Sequence, residues 1–298
     1  MTAHNVTTVK DIVKPLQYVT EGNCVTTPSL YGVTPTASPV FTAAGLNLDI
    51  DLQPDVRKLT VDVLGSEDIV DAVKSEELFA WTTKFEMTDT VLAAFGINAA
   101  QTAAHSFCFS EYLDGTEYFN LLKGSIATNT TMSLERGKWI CDQTYIAKDI
   151  ITRINTANAG LTTPTFVGIP TASPMVHSGA GADPFTWNSV AYPENKFTCS
   201  VTRQLATMAI NGNLQIEYSK RVGRTINFNV DVFCKGTTLE IDARAGTLRS
   251  ANYSVSTSPD KDLAFTNAYI DSWKIARSAT SKDAFKESIG CIAESVAI

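Results

Sequence analysis

Ile226-Asn-Phe-Asn-Val-Asp-Val232 puts an apolar side chain at every second position and an amide or carboxylate between them. Such a strand turns one face to a core and the other to a polar surface, the habit of antiparallel sheets packed on one side. The same period of two runs through Leu46, Leu48, Ile50 and Leu52, which alternate with Asn47, Asp49, Asp51 and Gln53. It recurs in Trp81, Thr83, Phe85 and Met87 against Thr82, Lys84 and Glu86, and in Leu214, Ile216 and Tyr218 against Gln215, Glu217 and Ser219. A mainly β protein follows. Helical signal is sparse: Asp89 as a cap and Gly96 as a stop bracket a short helix over Thr90–Phe95. Ser66–Ser75 fits a second helix or a loop crossing a sheet edge.

Glu135-Arg-Gly-Lys138 reads as a hairpin turn between strands around Met132–Leu134 and Trp139–Tyr145. Arg221-Val-Gly-Arg224 reads as another, joining the strand at Leu214–Ser219 to that at Ile226–Val232, with Gly137 and Gly223 supplying positive φ. Thr26–Pro39 and Leu161–Pro184 are rich in Thr, Ser, Pro and Gly and read as loops. The second divides the chain into an N-terminal arm (1–40), a first β module (41–160), a linker (161–184) and a second β module (185–298). Pro35-Thr-Ala-Ser-Pro39 recurs as Pro170-Thr-Ala-Ser-Pro174. The strand around Phe85 has a counterpart around Phe228, and the strand pair from Ile126 one near Ile270. These spacings suggest tandem duplication of one β module. The competing reading is one large sandwich whose strands look alike.

The 298 residues carry 24 Lys+Arg against 31 Asp+Glu, a net charge of −7, with 18% charged and 44% hydrophobic side chains. Roughly one residue in eight is Thr, which favours extended backbone. A chain of this length can bury about three quarters of its unfolded surface, and its composition opposes disorder. Its longest apolar runs, such as Val91–Phe95, are far shorter than a membrane span, so no membrane partner is expected. An acidic balance opposes binding to a phosphate backbone. The first ten residues lack the basic and apolar regions of a signal peptide. Six cysteines at 24, 108, 141, 199, 234 and 291 form no C-x-x-C; Cys141, Cys199 and Cys234 fall in apolar stretches and are expected as reduced core residues. Sequons at Asn5, Asn129 and Asn252 carry no weight without a secretory route. A reducing cytoplasm is the expected site of synthesis.

Phosphate-loop, dinucleotide, zincin and nucleophile-elbow motifs are all absent from the sequence. His105 stands three residues from Cys108, but sequence neighbours rarely supply the mutual positioning a nucleophile and base need, and His105 is expected to be structural. Asp49 and Asp51 form a D-x-D on the polar side of an alternating strand, where a solvated face explains them. Trp81, Trp139, Trp187 and Trp273 could form a sugar-stacking platform, although three lie in strand patterns and suit packing better. No catalytic, cofactor or metal set is expected, and the chain is read as not an enzyme. Basic residues gather at presumed turns: Arg57 and Lys58; Arg136 and Lys138; Lys220, Arg221 and Arg224. They suit ordinary solvation or contacts with acidic rims of neighbouring subunits or rings.

Three stretches together, Ser29–Gly45 (SLYGVTPTASPVFTAAG), Leu59–Val70 (LTVDVLGSEDIV) and Phe79–Ile97 (FAWTTKFEMTDTVLAAFGI), resemble the N-terminal region of tail tube (major tail) proteins of tailed bacterial and archaeal viruses. Gly124–Ile150 and Tyr269–Ser278 are similar to the recurring hairpins of that family. The resemblance implies tandem β-sandwich or β-barrel modules, each with a short flanking helix. It implies rings whose hairpins form an inner barrel, stacked into a hollow tube through which viral DNA passes as unbound cargo. Asp49, Asp51, Glu86, Glu217 and Asp231 become candidates to face the lumen. Two modules per chain would close a pseudo-hexameric ring with three chains, and one module per chain would need six. Other implied partners are the tape measure, tail terminator and baseplate proteins, with the virion tail, assembled in host cytoplasm, as location. Alternatives are another β-rich virion surface or decoration protein, and a carbohydrate-binding β-sandwich using Trp187.

Overall fold

The computed structural model describes residues 14–21, 32, 40–44, 46–61, 71–88, 92, 95, 104–113, 116–135, 137–154, 165–166, 184–209, 216–257, 260–276 and 286–298. Nine strands come first: β1 (Lys14–Thr20), β2 (Val40–Ala43), β3 (Leu46–Val61), β4 (Asp71–Glu86), β5 (His105–Leu113), β6 (Thr116–Glu135), β7 (Lys138–Ala147), β8 (Asp149–Ile154) and β9 (Thr165–Phe166). Then follow β10 (Phe185–Trp187), β11 (Val190–Tyr192), β12 (Glu194–Ala209), β13 (Ile216–Phe233), helix α1 (Thr238–Ala245), β14 (Arg249–Thr257), β15 (Asp260–Ala276), β16 (Lys286–Ala293) and β17 (Ser295–Ala297).

Eight of these strands make one antiparallel sheet in the order β3-β4-β7-β6-β12-β13-β16-β15. Two smaller antiparallel sheets, β2-β1-β5-β6-β8 and β11-β10-β14-β15-β17, cover its apolar face. β6 and β15 belong to both layers: each starts in a small sheet and ends in the large one. At the corner Gly124 (φ 63°) and Asn267 (φ 48°) adopt the left-handed conformation, which glycine reaches freely and asparagine tolerates.

The pairing of the first half recurs in the second, position by position. Phe79–Glu86 against Ile140–Ala147 has the register of Ile226–Phe233 against Lys286–Ala293. Six irregularities of the large sheet recur as well, whereas the skip at Val255 in the β14–β15 ladder has no counterpart in the β5–β6 ladder. The ladders skip Leu48 in β3 and Asn195 in β12, Ser75 in β4 and Val222 in β13, and Thr128 in β6 and Asp271 in β15. A bulge re-aims a strand, so six bulges at matching places bend both halves alike. Trp81 therefore occupies the place of Phe228, whereas the sequence spacing suggested Phe85. Ala127 matches Ile270, one residue from the expected Ile126. The repeated pentapeptide lies outside the described residues.

One core runs through both halves. Trp81 stacks on Tyr145 of the neighbouring strand (4.3 Å between centroids) and meets Phe107 edge-on across the layers, whereas Phe228 stacks on Phe265 across the layers (4.3 Å). Trp139, at the start of β7, is fully buried among residues of the second half, Phe197 and Tyr253. Its indole N–H donates to the Val255 carbonyl at 2.8 Å, at a residue that the β14–β15 ladder skips. Helix α1 buries Leu239 and Asp242 and ends at left-handed Gly246. Asp242 accepts from the Trp187 indole and from two Arg249 nitrogens, and these bonds hold its carboxyl below the usual range, Arg249 contributing most.

Several expectations are corrected. Arg221-Val-Gly-Arg224 is no turn: β13 runs unbroken through it and pairs with β12, with Val222 as the bulge. An isolated glycine in a strand pattern marks a bulge as readily as a hairpin. Asp71–Ser75 lie in β4, so no helix covers that part of Ser66–Ser75. Cys234 follows β13 and is exposed, unlike buried Cys141 and Cys199. β1 falls within the expected arm, pairing with β2 and β5, and β9 within the expected linker. The Glu135–Lys138 hairpin forms as expected, with Gly137 at φ 78°. Of the helix expected over Thr90–Phe95, Leu92 and Phe95 are described; both are buried, and the Leu92 N–H bonds the Thr88 carbonyl.

Because Trp139 ties the halves together, Trp139→Phe, which keeps an aromatic ring but orphans the Val255 carbonyl, should cost about 1–3 kcal/mol. Trp139→Ala should cost about 3–5 kcal/mol. Urea titration should show a lowered midpoint with one transition; two separate transitions would contradict a shared core.

Candidate functional site

The large sheet leaves one face uncovered by the two small sheets. Across it runs the row Asp49, Lys84, Asp142, Thr131, Ser200, Asn227, Ile292 and Tyr269, each opposite the next. The neighbouring row is Asp51, Thr82, Thr144, Asn129, Thr202 and Thr225. All of these side chains are exposed or half-buried. Period-two alternation supplies this face, and hydroxyl and amide groups dominate it because threonine serves strand propensity and hydration together.

Of the candidate lumen residues, Asp49, Asp51, Glu86 and Asp231 share this face. Asp49 and Asp51 are exposed on β3; Glu86 and Asp231 are half-buried. Glu217 lies in β13 beyond the stretch paired with β16, so it stands outside the eight-stranded region. Two ion pairs tie one end of the face together: Lys138 to Glu86 at 2.8 Å and Lys84 to Glu135 at 3.0 Å. The hydrogen bond that Lys84 donates to Glu135 is the main reason the pKa of its ammonium is raised, while burial raises that of the Asp142 carboxyl and Lys84 opposes this. Gly290 lies on this face, and a Cβ there would come 2.5 Å from Ser272 Oγ and 3.0 Å from Asn229 Oδ1, so a side chain would make these two neighbours shift.

The basic residues fall at opposite ends of the sheet. β4 pairs with β7 only from Phe79 and β13 with β16 only from Ile226, so each long hairpin continues past them as a two-stranded ribbon. Arg57, Lys58, Lys220, Arg221 and Arg224 lie on these ribbons within strands, correcting their assignment to turns. Lys138 sits at the β6–β7 turn at the other end; Arg136 lies outside the described residues.

The centre of the sheet holds residues that sequence reading missed. β6 and β12 pair from Asn129↔Thr202 to Ser133↔Thr198. Arg203, buried, donates from Nη1 to Thr130 Oγ1 at 2.7 Å, and Gln143 Nε2 donates to the Phe95 carbonyl at 2.6 Å. Arg203 and Thr130 are 73 residues apart, and no local pattern announces such a meeting.

His105 and Cys108 point to opposite sides of β5. His105 packs among Tyr18, Phe95 and Phe107, while Cys108 lies with Phe119 and Leu121. Trp187 is fully buried and bonded to Asp242, which removes it as a sugar platform. Among the described residues, no group of three or more His, Cys, Asp or Glu side chains is placed to hold a metal, and no helix is long and apolar enough to cross a membrane. No protein-family model matches this chain, and no curated protein matches it in sequence.

Burial lowers the His105 imidazole from 6.5 to about 4. The unfolded chain therefore takes up this proton first as pH falls. The contribution of neutral His105 is complete above about pH 6.5 and is lost progressively down to about pH 4, on the order of 3 kcal/mol in all. Urea midpoints measured from pH 7 to pH 4 should fall, and His105→Phe should flatten that dependence. An unchanged slope would remove His105 from the acid limb.

Proposed function

We propose that this chain is a tail tube (major tail) protein of a tailed virus, a structural component that polymerises as stacked rings into the tube delivering viral DNA. The observation that carries the reading is the large sheet. It is assembled from two four-strand units of one pairing scheme, β3-β4-β7-β6 and β12-β13-β16-β15, joined edge to edge. A unit that joins its own copy within a chain is suited to joining copies between chains. Heterologous joining of this kind makes rings when the rotation closes.

In this reading each unit and its small sheet form one tail-tube module, the chain is a tandem duplication, and three chains complete a ring of six modules. Three chains of eight strands then give an inner barrel of twenty-four strands. The uncovered face lines the lumen with threonine, asparagine, serine and the carboxylates of Asp49, Asp51, Glu86 and Asp231. The face also carries the exposed lysines Lys196, opposite Asp231, and Lys274 on β15, but its carboxylates outnumber its cations, so polyanionic DNA is not held there and slides. The ribbons carrying Arg57, Lys58, Lys220, Arg221 and Arg224 reach toward the next ring, and charge attraction there sets register between rings.

Negative-stain images of concentrated protein, with the mass of an isolated ring, test this reading. Annuli or open tubes, and a ring mass about three times the 32.2 kDa chain, are expected. Particles that stay monomeric at every concentration would sink it, and a six-chain ring would sink the duplicated stoichiometry.

A further inference from the structure

Among the described residues the two ends of the large sheet are strand edges, and the structure already contains a finished version of the joint that would cover them. β12 pairs with β6 in the middle of the sheet; its counterpart in the first half, β3, pairs within the sheet only with β4 among the described residues. Likewise β6 is covered by β12, while its counterpart, the C-terminal half of β15, pairs within the sheet only with β16 among the described residues. The shared bulges set the equivalence, 147 residues from β3 to β12 (Leu48 to Asn195) and 143 from β6 to β15 (Thr128 to Asp271).

Burial differs between the covered and uncovered copies as an absent neighbour would make it differ. Thr130 and Met132 on β6 are fully buried; Trp273 and Ile275, in the same places on β15, are half-buried. Cys199 on β12 is fully buried, while its counterpart Leu52 on β3 is half-buried. Asn129 and Thr131 are half-buried, but Ser272 and Lys274 are exposed. An edge with partly exposed apolar side chains and a row of backbone groups is a template for another strand.

We propose that β3 of one chain pairs antiparallel with β15 of a second copy in the register that β12 holds with β6. Carried over position by position, Thr202↔Asn129 to Thr198↔Ser133 becomes Asp55↔Ser272, Pro54↔Trp273, Gln53↔Lys274, Leu52↔Ile275 and Asp51↔Ala276. No bulge interrupts either segment. The ladder phase puts the outward backbone groups of β3 at Leu52 and Pro54, because the Met87 N–H bonds the Trp139 carbonyl and the pattern alternates from there. Pro54 lacks a donor, so this joint has one hydrogen bond fewer than the β6–β12 joint. Proline is tolerated on an edge strand, and here it also weakens pairing with strands that cannot bury Leu52, Trp273 and Ile275.

The register rests on the proposed ring, but its test separates the two. In a Cys24→Ser, Cys234→Ser background, Gln53→Cys with Lys274→Cys places thiols at directly opposed, non-hydrogen-bonded positions. Such Cα atoms lie about 4.5 Å apart, within the roughly 4.4–6.8 Å that a disulfide spans. Gln53→Cys with Ser272→Cys is displaced by two residues to about 7–8 Å. Mild oxidation of assembled protein should crosslink the first pair between chains in high yield and the second several-fold less. Covalent species should end at the number of chains in the ring. Equal yields, a preference for the displaced pair, or no interchain product from either would overturn the register. Tubes in the images together with that result leave the tail tube reading standing; crosslinked rings that never stack leave the register and sink the tube.

Discussion

The ladder between β6 and β12 is short, from Asn129↔Thr202 to Ser133↔Thr198, yet the architecture depends on it. Without it the large sheet would be two separate four-stranded pieces sharing a chain. With it, eight strands form one sheet, the apolar faces merge, and Trp139 of one half is buried in the other. Antiparallel pairing is directional and specific in register, because a slip by one residue would turn one of the two strands over, taking either Met132 or Cys199 out of the core and putting Thr131 or Ser200 into it. The buried contact of Arg203 with Thr130 sits beside this joint and adds a geometric requirement that a slipped pairing would not meet.

The uncovered face follows from the same constraint. Each small sheet covers the apolar side of its own four strands, so the opposite side of all eight faces outward as one polar surface. Its chemistry is that of hydroxyls and amides, with the nearest charges partly neutralised as the pairs Lys84–Glu135 and Lys138–Glu86. Such exposed pairs contribute little stability. Their consequence is the charge pattern of the face, which is acidic at Asp49 and Asp51 and nearly neutral through its threonine rows.

How much could be read beforehand differed by element. The strands around Trp81–Met87 and Ile226–Val232 were legible because one period of alternation is a local property, and the Glu135–Lys138 turn because a glycine in a short polar break is local too. The segment around Gly223 was misread for the same reason. A bulge and a hairpin use similar residues, and only the partner strand distinguishes them. His105 and Cys108 are neighbours in sequence but face opposite layers, an outcome of strand alternation that could have been foreseen. The burial of Arg203 could not, since a basic residue next to a polar run reads as solvated.

Taken alone, the sequence determined a mainly β, mildly acidic, threonine-rich chain whose strands have one apolar and one polar face, since these properties depend on composition and on neighbours a few residues apart. It carried hints of repetition, but assigned Phe85 to the place of Phe228. Only the tertiary structure decided that Trp81 holds that place, that the bulges at 48 and 195, 75 and 222, and 128 and 271 coincide, and that the halves join through β6 and β12. The physical reason is that register and edge pairing are set by backbone hydrogen bonds between segments far apart in the chain. Those bonds are made by groups every residue carries, so side-chain order alone leaves them unspecified.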